Sequence, residues 1–159
     1  SIWFKWIAKH EKAGTLTTLL GELNSNVLSI MQILGFEHLA NVSQDWVEAY
    51  SSPFPNRESC LGAIKFPLDI YLGTCKNFLV KTLKLGNLEK LKQKPAILIE
   101  GMNDHAIHPE NAIADFKKLW PKGPIIELED VGHFCQEDCP KTLVALIHQF
   151  IQMNPIRVS

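Results

Sequence analysis

A chain of 159 residues, 46% hydrophobic and 21% charged, is long enough for one ordinary globular unit with a substantial core. Sixteen basic residues against seventeen acidic ones leave a net charge of −1, which excludes a basic surface for nucleic acid or anionic membranes and points to a small molecule or another protein as partner. The longest apolar runs, PAILIEG and LVALIHQFI, fall far short of the ~20 residues that a membrane-spanning helix needs.

The first segment, SIWFKWIAKHEK, is aromatic and half apolar and begins without methionine, so it reads as the middle of a longer chain. From Thr15 to about Leu91 the pattern is helical. TLTTLLGEL, NVLSIMQILGF, SQDWVEAY, ESCLGAIKFPLDIYLG and CKNFLVKTLKL carry apolar residues three and four apart, and Asn24 and Ser43 stand where caps belong. Between them, the two prolines of SSPFPNRES mark a rigid loop. Past Pro95 the period changes. AILIE (96–100) is an unbroken branched-aliphatic run, as in a strand buried on both faces of a parallel sheet. A helix is predicted over 109–119, opened by Pro109, then a strand over 125–129 (IIELE), then a helix from Pro140 to about Gln152. Strand, helix, strand, helix implies parallel strands with right-handed crossovers. Two such strands leave open edges, so a larger sheet is expected around them. Cys60, Cys75, Cys135 and Cys139 are too few for a disulfide scaffold and no secretory signal is visible, so reduced thiols and a cytoplasmic location are expected.

Ligand sites in parallel sheets lie beyond the carboxyl ends of the strands. Asp104 stands four residues past Glu100 and His133 four past Glu129, so both are expected at that edge. A carboxylate on one imidazole nitrogen fixes the tautomer and supports the charge gained when the other nitrogen takes a proton. The competing expectations are an aspartate that caps its own turn and a histidine in a surface loop.

These residues carry a resemblance. PAILIEGMND followed by GHFCQEDCP resembles the C-terminal end of an α/β-hydrolase, and His-Phe-x-Gln-Glu with AYSSPFPNRESCLGAIKFPL resembles haloalkane dehalogenases, from about Trp6 to Ile151. The resemblance implies the C-terminal part of an α/β-hydrolase fold: a helical cap over 1–92, then the last two parallel strands and their helices over 93–159. It implies hydrolysis of carbon–halogen bonds through an alkyl ester on an aspartate nucleophile, with His133 as base and Asp104 as its orienting acid. Phe66, Pro67 and Ile70 match the apolar wall of the substrate cavity. Trp6, with Trp3 as second choice, matches a halide-binding indole. The implied substrate is small and apolar, a halogenated alkane or an epoxide, and no cofactor is implied.

One departure matters more than these matches. Neither Gly-x-Asp-x-Gly nor Gly-x-Ser-x-Gly occurs, so the nucleophile elbow is absent from these 159 residues. The chain is expected to lack an N-terminal half that would be its partner, to turn over no haloalkane alone, and to self-associate through its bare sheet edge. Epoxide hydrolase is the nearest competitor, but its tyrosine donors would have to come from Tyr50 and Tyr71. Metal binding by His105 and His108, or by His133 with Cys135 and Cys139, is disfavoured because CQEDC has no partner knuckle. A non-catalytic interaction protein on a hydrolase remnant is the third class, and the presence of both Asp104 and His133 argues against it.

Overall fold

A computed structural model describes residues 1–22, 33–84 and 88–155. In chain order these form α1 (Ile2–Lys12), α2 (Leu16–Glu22), a 3-10 turn at Leu39–Asn41, α3 (Gln44–Ser51), a 3-10 turn at Glu58–Cys60, α4 (Leu61–Leu72), α5 (Lys76–Lys84) and α6 (Leu88–Lys92). Then follow β1 (Leu98–Gly101), α7 (Pro109–Leu119), β2 (Ile125–Leu128), α8 (Cys135–Asp138) and α9 (Pro140–Met153). β1 and β2 pair in parallel, with Leu98 opposite Ile125 and Gly101 opposite Leu128.

The helices start where local chemistry allows. Ser43 caps α3 by accepting from the Trp46 N–H at 3.1 Å, and Pro109 and Pro140 sit in the first turns of α7 and α9, where a missing N–H costs nothing. Asn24 and most of NVLSIMQILGF lie outside the described residues. The N-terminal segment, to which the sequence assigned no element, is helix α1. Ser1 caps it, and Trp3 and Ile7, four apart on one face, are buried.

Both strands differ from expectation. β1 covers 98–101 rather than 96–100, because the ladder opens with the Leu98 N–H donating to the Pro124 carbonyl. β2 stops at Leu128 rather than 129, since Asp130 turns the chain with a positive φ of 54°. Nor are the strands buried on both faces: Leu98, Ile99, Ile125 and Ile126 are half-buried and Glu127 is exposed. Helix α7 packs on β1, and no third strand joins the sheet among the described residues. Val144, Ile147 and Ile151 of α9 are exposed in the same way.

The main core lies in the helical half, where Trp3, Ile7, Leu16, Leu20, Leu34, Cys60 and Ile64 cluster, with Ala106 and Phe134 reaching it from the sheet half. The segment after Ile33 stitches the halves together. The Leu34 carbonyl accepts from the His105 N–H and the Gly35 carbonyl from the His133 N–H, both at 2.8 Å, while the Asn41 amide donates to the Glu137 carbonyl at 2.8 Å. The two loops that follow the strands are thereby held against the helical half.

Candidate active site

Asp104 stands in the turn after β1, its N–H bonded to the Gly101 carbonyl. Its two carboxylate oxygens have separate partners. Oδ1 accepts from the Ala106 and Ile107 N–H groups at 2.7 and 2.9 Å, and Oδ2 lies 2.8 Å from His133 Nδ1. The turn cap and the histidine partner, posed by the sequence as competing expectations, therefore coexist on one side chain. Because a carboxylate only accepts, the imidazole proton sits on Nδ1 and Nε2 keeps its lone pair. Asp104 is 8% exposed, so this bond is shielded from water.

The His133 loop is built by close backbone approach. A Cβ on Gly132 would overlap the Gly35 carbonyl, and one on Gly101 would overlap the Val131 and Gly132 carbonyls, so only glycine fits where the three strands of chain cross. Phe134 sets its ring edge-on to the imidazole, centroids 5.0 Å apart.

Two acids of the QED run, given no role by the sequence, hold this loop. Asp138 is buried, and it accepts from the Gly132 N–H at 2.8 Å and from the Glu37 and His38 N–H groups at 2.9 Å each. His38 Nδ1 adds charge 3.7 Å away when protonated. Glu137 accepts from the Trp46 indole at 2.7 Å and from the Tyr50 hydroxyl, tying α3 to α8. Burial, then the bond and charge of Glu137, push the Tyr50 hydroxyl up to about 12, so it stays a donor. The available signal was an acidic pair directly after Gly-His-Phe. Its partners lie some 90 to 100 residues away in sequence and could not be inferred from it.

His133 faces a cavity of about 560 Å³ whose other lining side chains are apolar, among them Trp3, Phe4, Phe66, Pro67 and Ile70. Pro67 is buried in the middle of α4, where it removes one helical hydrogen bond, while Phe66 and Ile70 stay largely exposed at the mouth. Trp6 is not among the lining side chains. It stacks on Trp3, centroids 5.6 Å apart, and the cavity meets Trp3 instead. Trp3 is 7% exposed, and its indole N–H meets no acceptor among the described residues. A second cavity, of about 460 Å³, lies at the opposite ends of the strands beside Pro95, Pro124 and Phe150, away from His133.

The four cysteines are free. No group of three metal-ligating side chains lies together, and no helix is long and apolar enough to cross a membrane, among the described residues.

No protein-family model matches the chain. Among curated proteins, it is 25% identical over 111 residues to a cis-3-alkyl-4-alkyloxetan-2-one decarboxylase of Xanthomonas campestris pv. campestris, a match covering 68% of this chain and 36% of that protein. It is 39% identical over 57 residues to haloalkane dehalogenase 2 of Mycobacterium bovis and of Mycobacterium tuberculosis, covering 36% of this chain and 20% of theirs. The chain thus spans about a third or less of the length of these relatives. With the parallel strand pair, the likenesses support the α/β-hydrolase superfamily. Over 57 residues the likeness is to haloalkane dehalogenases.

Proposed function

We propose that this chain is the C-terminal part of a haloalkane dehalogenase-like hydrolase, with residues 1–92 as its lid and 93–159 as the last portion of its core. The observation that carries the reading is the 2.8 Å His133–Asp104 hydrogen bond at the wall of an apolar cavity. In the reaction, a carboxylate supplied from outside these residues attacks the halogen-bearing carbon. The carbon–halogen bond breaks, halide leaves with the bonding pair, and an alkyl ester forms. His133 Nε2 then takes a proton from water, whose oxygen attacks the ester carbonyl, and alcohol and free carboxylate are released. Asp104 stabilises the imidazolium through Nδ1–H. Trp3, rather than Trp6, is assigned to the departing halide, since its buried side chain lines the cavity, as that of Trp6 does not, and its indole N–H has no acceptor among the described residues.

The curated decarboxylase acts, by its name, on alkyl-substituted oxetanones, and an apolar wall suits an alkyl lactone as well as an alkyl halide. Epoxide opening is less well supported. Tyr50 donates its hydroxyl to Glu137, and neither Tyr50 nor Tyr71 lines the cavity.

Halide release from bromoalkanes tests the reading. The 159-residue chain alone is expected to release none on a sustained basis. A longer polypeptide that contains it is expected to release halide continuously, and its His133→Gln variant only one equivalent per protein. Sustained release by the short chain would overturn the requirement for an external nucleophile. In iodide titrations, Trp3→Phe is expected to remove any quenching beyond the collisional level, and unchanged quenching would remove Trp3 from the site.

A further inference from the structure

A third carboxyl stands behind the pair. Glu100, at the end of β1, is 9% exposed and has no hydrogen-bond donor among the described residues. It lies one turn before Asp104 in the chain. The adjoining Gly101 backbone is pressed against Val131 and Gly132, and the Gly132 carbonyl accepts from the Cys135 thiol at 3.5 Å, so Glu100 is enclosed where both loops meet. The titratable groups whose charges reach it are Asp104 from its own loop and His133, and its own charge reaches the Cys135 thiol of α8. Glu137 and Asp138 of α8 are engaged elsewhere. Glu110, Asp115, Lys117 and Lys118 of α7 and Glu127 of β2 are exposed.

We propose that Glu100 is a positioning residue of the His133 site, a carboxyl that switches between neutral and ionised behind Asp104 and so decides whether one or two negative charges face the imidazole. Its environment favours that role. Burial, with the Asp104 charge second and partly opposed by His133, raises its carboxyl to about 7. Protonated, it leaves Asp104 as the one charge on the imidazole; ionised, it adds a second that stabilises the proton taken from water. The functional consequence rests on His133 and Asp104 being base and orienting acid, whereas the titration itself does not.

Carboxyl carbon NMR on the 159-residue chain tests the proposal. Glu100 is expected to titrate with a midpoint near 7. In Asp104→Asn the midpoint should fall by about one unit, as removal of a neighbouring like charge requires; in His133→Gln it should rise; in Glu127→Gln it should stay. A midpoint in the ordinary glutamate range in the unsubstituted chain overturns the proposal without any variant having to fold. So does a midpoint that ignores Asp104→Asn in a folded variant. Absent halide release by the longer polypeptide, with an intact titration, would count against the hydrolase reading alone.

Discussion

A methyl group added at position 132 is expected to detach the histidine loop from its support. In Gly132→Ala the new Cβ falls on the Gly35 carbonyl, carbon and Cα. These are backbone atoms, so no side-chain rotation relieves the overlap. Gly35 is itself held at φ 103°, a conformation that leaves the opposing chain little room to adjust. The expected cost is roughly 3 kcal/mol, the upper end of what overpacking usually takes. The bond from the His133 N–H to the Gly35 carbonyl should break, and with it the alignment of Nδ1 on Asp104. Urea denaturation measures the stability loss, and the Nδ1–H proton resonance reports the pair. A variant of unchanged stability that keeps this resonance would contradict the close approach of the three segments.

Asp138→Ala is expected to be comparably severe for a different reason. One buried carboxylate serves three backbone N–H groups, from Glu37, His38 and Gly132, and truncation leaves all three without their acceptor. Bonds to charged acceptors contribute more than neutral ones, and stranded buried donors carry their desolvation penalty, so about 4 kcal/mol is expected. Against a total of ~5–15 kcal/mol for a domain, that is a large share. Asp138→Asn keeps one carbonyl acceptor and should cost about half as much. A loss below ~1 kcal/mol for Asp138→Ala would mean that the loop is held by other contacts.

Much of the sheet half was legible because its signals are local. Pro109 and Pro140 mark helix starts by missing a donor, and Ile113 with Phe116 keeps the helical period of α7. Asp104 and His133 could be paired because each follows the carboxyl end of one of two neighbouring parallel strands, which puts both at one edge, and the 2.8 Å bond lies there. What escaped depends on distant partners or on one turn of rotation. Trp3 and Trp6 stack on the same side of α1, and composition does not say which one the cavity meets. Asp138 and Glu137 look like an exposed acidic run until Glu37, His38, Trp46 and Tyr50 arrive from far earlier in the chain. Glu100 reads as a polar residue ending a strand, and its burial arises from the glycine crossing beside it. The half-covered strands follow from the sheet's extent, two strands among the described residues, which no local pattern encodes.

The most direct test of the central claim is intact mass spectrometry of a longer polypeptide containing this chain, in its His133→Gln form, after incubation with a bromoalkane. A hydrolase that uses His133 as base predicts a stable mass increase of one alkyl group in place of a proton, with one bromide released per protein and no second turnover. A variant that gains no alkyl group, or that keeps releasing bromide at the rate of the unsubstituted protein, would contradict the assignment of His133 to the ester-hydrolysing step.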